Sequence, residues 1–203
     1  MSLVIVNYGL GNLAAIKNML RKLGHDAVIT SDVDIIAKSN KIIIPGVGAF
    51  GKGMENMIDI GLLDVLNQKA LKEKVPVLGI CLGMQLMTSH SEEGNVTGLN
   101  WIPAQTKKFE FKEPLKLTVP HMGWADIEFN NGHWLFKGYN EQPRFYFAHS
   151  YYVEFDTVYT IAKVIYGFPF AGAIEFENIV GVQFHPEKSH KFGLVLLNNF
   201  AIK

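Results

Sequence analysis

The sequence predicts an α/β fold with a mostly parallel central sheet flanked by helices and antiparallel strands in its second half. Two features carry this expectation. Short apolar strands alternate with amphipathic helical stretches through the first ninety residues. From about Ala104 the texture changes to short aromatic and β-branched runs. Leu3 to Asn7 is the first strand. Leu13 to Leu23 follows as a helix, with Ile16, Met19, Leu20 and Leu23 at helical spacing, and Gly24 closes it. Ala27 to Thr30 and Lys41 to Ile44 are the next strands; the latter is nearly all β-branched, as expected of a strand buried on both faces. Met54 to Lys74 reads as a long helical region interrupted near Gly61, and Val75 to Ile80 as the next parallel strand. Phe109 to Phe111, Leu115 to Val119, Ile127 to Phe129, Phe145 to Phe147 and Tyr159 to Ile165 read as antiparallel strands. Val180 to Phe184 is another buried strand, and Ser189 is placed to cap a closing helix from Phe192 to Ile202.

Size and charge bound the function. With 203 residues, 48% of them hydrophobic, the chain can bury a sizeable core as a single domain over 1–203. Its 19 acidic and 19 basic residues are interspersed, so no electrostatic footprint for nucleic acid or an anionic membrane is present. The longest apolar stretch, Val75 to Met87, is broken by Pro76, Gly79 and Gly83 and falls short of the roughly 20 residues a spanning helix needs. The opening strand lacks the cationic start of a signal peptide. One cysteine permits no internal disulfide, which fits a reducing cytoplasm. His185 and His190 lack a ligand cluster at zinc-like spacing, and no metal or organic cofactor is implied.

That cysteine, Cys81, lies in Gly79-Ile80-Cys81-Leu82-Gly83, between an apolar strand and a helical stretch. This is the pattern of a nucleophile elbow. A strand turning sharply into a helix strains the residue at the turn, and flanking glycines let the backbones approach. The helix N-terminus behind it favours negative charge on the sulfur. The plainer reading is a buried, inert cysteine at the end of a core strand. Late in the chain, Val180 to Phe184 runs into His185-Pro186-Glu187. Residues i and i+2 share a face, so Glu187 can hold one imidazole nitrogen of His185 while the other faces outward. Nucleophile, base and orienting carboxylate are the parts of covalent acyl chemistry. Taken alone, His185 reads as a solvated histidine at a strand end and Glu187 as a surface charge.

Together these motifs resemble the class I, or triad, glutamine amidotransferases, and in particular the branch serving imidazole glycerol phosphate synthase. Asn7 to Asn12, Pro45 to Phe50, Pro120 to Trp124, His149 to Tyr152 and Phe184 to Ser189 all look like motifs of that branch, in its order and over essentially the whole chain. The resemblance implies a glutaminase in which Cys81 attacks the amide carbon, His185 moves protons and Glu187 aligns His185. The Leu82 N–H and an N–H at Val47 or Gly48 would form the oxyanion hole, the second donor through a peptide flip that Gly46 and Gly48 permit. As a phosphate cradle this glycine-rich turn lacks the following lysine. Gln85, His149, Ser150 and Tyr151 occupy the positions that hold glutamine. Read from the residues alone, Gln85 is an exposed helix residue and His149 a satisfied strand histidine.

Free ammonia near neutral pH is mostly protonated, so synthesis requires a partner docked over the site. The resemblance implies a heterodimer with a (β/α)8 cyclase subunit in histidine biosynthesis, with Asn12, His121, Met122, Trp124 and Lys188 at the interface. Ala125 replaces the usual asparagine after Gly-Trp, and Ser189 to Gly193 looks more like a paralogous branch that supplies ammonia to a sugar amidation synthase in surface-glycan pathways. That branch is the alternative. Related α/β peptidase-like families and a catalytically silent binding module are the readings from other classes; the first would not need His185-Pro186-Glu187, and the second would tolerate losing a triad member.

Overall fold

The computed structural model describes residues 2–112, 117–130, 132–156 and 158–203. In chain order the elements are β1 (Leu3–Val6), α1 (Leu13–Lys22), β2 (Ala27–Thr30), α2 (Val33–Ala37), β3 (Lys41–Ile44), α3 (Phe50–Asp59), α4 (Leu63–Asn67), β4 (Val77–Ile80), α5 (Leu82–Leu86), β5 (Thr88–Ser91), β6 (Val96–Thr97) and β7 (Ile102–Lys108). The second half holds β8 (His121–Asp126), β9 (Glu128–Phe129), β10 (Arg144–His149), β11 (Tyr151–Val153), β12 (Thr160–Tyr166), β13 (Phe168–Phe176), β14 (Ile179–Val182) and α6 (His190–Ile202). An eight-stranded sheet runs in the order β2-β1-β3-β4-β14-β13-β12-β9. Its first five strands are parallel and its last three antiparallel. Two small sheets, β10-β8 and β11-β7-β5-β6, stand beside it.

The strands β1, β3, β4 and β14 are buried along their whole length. They must therefore be covered on both faces, which is why they read as continuous apolar runs. One face carries Ile5, Ile43, Leu78 and Val180 against Ile16 and Leu20 of α1 and Leu196, Leu197 and Phe200 of α6. The other carries Val4, Ile42, Ile44 and Val77 against Phe50, Met57, Leu66 and Leu86. Parallel strands end together, so the loops after β1, β3, β4 and β14 gather at one edge of the sheet.

Several expected elements differ. The helical region after β3 starts at Phe50 rather than Met54, and after Asn67 it continues as a π-helical turn, Gln68–Lys72. The strand expected at Phe109 to Phe111 lies earlier, at Ile102–Lys108; Phe109 turns into the aromatic core beside His149 and Phe170 instead. Part of the expected Leu115 to Val119 strand lies outside the described residues, and 117–119 are not in a strand. The expected strand from Ile127 is broken between β8 and β9. Ser189 precedes α6, but its hydroxyl does not cap it; it donates to the His185 carbonyl (2.6 Å) and accepts from the Tyr146 N–H (3.0 Å).

The β4–α5 turn depends on missing side chains. A Cβ on Gly79 would stand 2.7 Å from the Met84 nitrogen, and one on Gly83 would overlap the Ile44 carbonyl oxygen of β3. Neither obstacle can swing away, because each is backbone. Gly83→Ala is therefore expected to cost about 3 kcal/mol or more, read as a lower urea midpoint; an unchanged midpoint would contradict this packing.

Candidate active site

Cys81 stands between β4 and α5 at φ 52° and ψ −106°, a backbone conformation that a side chain rarely tolerates. Its N–H donates to the Val182 carbonyl of β14 (2.8 Å), which ties the turn to the neighbouring strand. The chain leaving β14 alternates: Gln183 and His185 share one side, while Phe184 turns to the other and stacks on Phe145, 3.9 Å between centroids. Gln183 and His185 are thus both delivered to the sulfur. His185 comes close enough to Cys81 for the two to influence one another's charge, and its Nδ1 lies 2.9 Å from Glu187 Oε1.

Both side chains of the His185–Glu187 pair are about 98% buried or more, at 1% and 2% exposure. Burial pulls the imidazole pKa down, but the hydrogen bonds to Cys81 and Glu187 and the negative charges of both outweigh it, raising His185 to about 10. The site thus favours the charged, imidazolium form of His185. Glu187 accepts at Nδ1, so Nε2 is the nitrogen left to serve the sulfur.

A cavity of about 260 Å³ opens above the sulfur, lined by Val47, Gly48, Cys81, Gln85, Ser150 and Tyr151 among others. That size is below the ~300–1,000 Å³ of drug-sized sites and suits a ligand of amino-acid size. Gly48 sits at φ +128°, in the region that favours glycine. The Pro45–Gly48 turn is braced from below by Tyr8, whose buried hydroxyl donates to the Pro45 carbonyl at 2.5 Å. Burial, together with the charge of Cys81, drives the Tyr8 phenol well above its ordinary pKa and keeps it a donor.

Gln85 is buried. Its Nε2 donates to the Tyr151 carbonyl (2.9 Å) and to Gln183 Oε1 (3.1 Å). With the amide nitrogen so engaged, its carbonyl oxygen is the end left for the cavity. His149 is also buried, and both of its nitrogens are used. Nδ1 bonds the Tyr151 carbonyl (2.7 Å), an acceptor only, so Nδ1 carries the proton and Nε2 accepts from His121 Nδ1 (3.1 Å). His149 thus builds the cavity wall without a free nitrogen to offer, as the residue-level reading of a satisfied histidine has it. His121 corrects the interface expectation: it is 5% exposed and stacked between Tyr166 and Phe147. Met122 and Trp124, on the opposite face of β8, are 63% and 40% exposed. Trp124 stacks on His190 with rings 7° from parallel, and Lys188 reaches over Tyr146. Asn12 is exposed where the chain enters α1.

Three residues in this region were missed by the sequence reading. Tyr8 and Gln183 fell inside quoted motifs without a role. Glu93 also lines the cavity, and its Oε2 accepts from the Phe50 N–H that opens α3 (2.8 Å). No local pattern marks it.

The chain belongs to the class-I glutamine amidotransferase family, whose model it matches over residues 4–203. Its relatives narrow this further. It is 49% identical to the imidazole glycerol phosphate synthase subunit HisH 2 of Methanococcus maripaludis, over 98% of each chain. It is 43% identical to the subunit of the same name from Pseudomonas aeruginosa, also over 98% of each. A crystal structure of a glutamine amidotransferase superposes with a TM-score of 0.74 over 98% of this chain and 99% of that one. At 16% identity, that likeness speaks for the fold alone. The relatives carry the name of the histidine-pathway synthase rather than of the sugar amidation alternative.

Burial lowers His149 to about 3, reinforced by the nearby His121 and His185 against the opposing bond to Tyr151; burial alone lowers His121 to about 4. Below the ordinary histidine pKa of 6.5 the unfolded chain then binds protons that the folded chain refuses, so stability falls as pH drops from 6.5 towards 4. Each group contributes a slope of up to ~1.4 kcal/mol per pH unit. Denaturant titrations of His149→Gln should show a shallower slope in this window. Identical slopes would place the protonation elsewhere.

Proposed function

We propose that this chain is the glutaminase subunit of imidazole glycerol phosphate synthase, releasing ammonia from glutamine for a cyclase partner in histidine biosynthesis. The observation that carries the reading is a nucleophile-elbow cysteine beside a buried His–Glu pair, in a chain 49% identical along its length to a subunit of that synthase.

In this mechanism the Cys81 sulfur attacks the glutamine side-chain amide carbon, and the carbonyl oxygen becomes an oxyanion. The Leu82 N–H and an N–H of Val47 or Gly48 receive that charge; a lost donor of this kind typically costs about 3 kcal/mol. The C–N bond breaks as His185 gives its proton to the departing nitrogen, leaving a thioester and neutral imidazole. His185 then takes a proton from water, the resulting hydroxide adds to the thioester, and glutamate leaves as the sulfur is released. Glu187 holds the imidazole throughout. The Gln85 carbonyl, the Glu93 carboxylate and the Ser150–Tyr151 segment hold the substrate, with Glu93 suited to its ammonium group. His149 supports that segment through Tyr151.

A (β/α)8 cyclase covering the cavity mouth is the partner we infer. Met122, which lines the cavity and is 63% exposed, and the neighbouring Trp124, Lys188 and Asn12 are the contact residues. A buried His121 acts from beneath this edge. A free thiol supports a cytoplasmic setting. Among the described residues no helix is long and apolar enough to cross a membrane.

Mixed with a histidine-pathway cyclase subunit and its ribotide substrate, the chain should form imidazole glycerol phosphate from glutamine. Silence of that mixture, with a complex formed, would contradict the pathway. Cys81→Ala should abolish glutamine-dependent synthesis and leave ammonia-dependent synthesis intact; loss of both in a folded complex would refute the division of labour.

A further inference from the structure

Gln183 is fully buried, one residue past β14, and has no part in the triad chemistry above. A glutamine amide buried this deeply must satisfy both ends or incur the desolvation of each. Its backbone is fixed by a bond from its N–H to the Gly172 carbonyl of β13 (2.9 Å). Its side-chain Nε2 donates to the Cys81 sulfur at 3.7 Å, and its Oε1 accepts from Gln85 Nε2 at 3.1 Å. The direction of these bonds is determined. Gln85 Nε2 also donates to the Tyr151 carbonyl, so it is the nitrogen end of Gln85 that meets Gln183. Gln183 must then present its oxygen to Gln85 and its N–H to the sulfur.

The consequence is specific. An N–H donor aimed at sulfur favours the thiolate over the thiol, and charge-assisted bonds of this kind are stronger than neutral ones. It also restrains the sulfur, which Cys81 presents on a strained turn. At its other end the same amide orients the Gln85 carbonyl towards the cavity.

We propose that Gln183 is a positioning residue that holds the Cys81 sulfur by its N–H and sets the Gln85 amide by its carbonyl, so that nucleophile and substrate cradle are aligned by one buried side chain. This rests on the glutaminase reading only for the Gln85 half; the sulfur contact stands without it.

Two substitutions separate the halves. Gln183→Glu keeps an acceptor for Gln85 but replaces the donor with an anionic oxygen, whereas Gln183→Met keeps the volume and removes both. Alkylation of Cys81 by iodoacetamide across pH needs neither glutamine nor partner, and in both variants its midpoint should move up by about one unit, the equivalent of one charge-assisted bond. In the complex with cyclase, Gln183→Glu should lower kcat about tenfold with little change in KM, while Gln183→Met should also raise KM. A wild-type alkylation midpoint in folded Gln183→Glu or Gln183→Met would overturn the proposal. A shifted midpoint in a chain that hydrolyses no glutamine with any partner would leave it standing while the glutaminase reading fell. If neither variant folds, NMR of the unsubstituted chain decides. The Gln183 side-chain amide resonances should move when Cys81 is alkylated, and resonances that stay in place would overturn the contact.

Discussion

Backbones crowd together where β4 turns into α5 and leave no room for a Cβ: Gly79 lies against the Met84 nitrogen, Gly83 against the Ile44 carbonyl of β3, and Gly181 of β14 makes way for the Met84 side chain. This close approach is the constraint from which the site follows. It sets Cys81 at positive φ and lets its N–H bond Val182. That bond brings the end of β14, and with it Gln183 and His185, against the sulfur. The same packing seats the Pro45–Gly48 turn over α5, because a Cβ on Gly46 would strike Leu82 Cβ at 2.6 Å. Cys81, His185 and the Pro45–Gly48 turn, which are the nucleophile, the base and a source of oxyanion donors in the proposed mechanism, come from three sequence-distant loops made neighbours by the order β3-β4-β14.

Polar groups in so dry a place are held by one another. Two sets converge on the sulfur: the charged pair His185–Glu187, and a neutral chain from His121 through His149, the Tyr151 carbonyl and Gln85 to Gln183. In low dielectric the first fixes a charge and the second fixes an orientation. The neutral chain starts on β8, the strand whose outer face carries Met122 and Trp124. Its histidines remain uncharged because burial excludes the imidazolium, which gives every bond in the chain a definite donor and acceptor.

Local pattern made part of this legible. The elbow with its flanking glycines and the His185-Pro186-Glu187 run are each contiguous in sequence, and apolar runs declare β3 and β4 directly. The nine-residue β13 escaped because Pro169 and Gly172 interrupt it, although Gly172 is needed where a Cβ would press on Val164 at 2.7 Å. Helix α2 escaped because it is short, even though Asp32 caps it through Asp34 and Ile35. His121 could have been placed: in a strand, Met122 and Trp124 outward puts His121 inward. Gln183 and Glu93 could not be. Their partners lie 98, 102 and 43 residues away, and such pairings exist only once the sheet has formed.

The central claim is that Cys81, activated by the buried His185, is the group that attacks a glutamine amide. Intact-mass analysis of the chain, alone and with its cyclase, after treatment with a glutamine-analogue electrophile tests it most directly. The account predicts one adduct per chain, mapped to Cys81, formed far more slowly in His185→Gln and protected by glutamine. An unlabelled Cys81 in both the free and the partnered chain, or labelling that ignores His185, would contradict it.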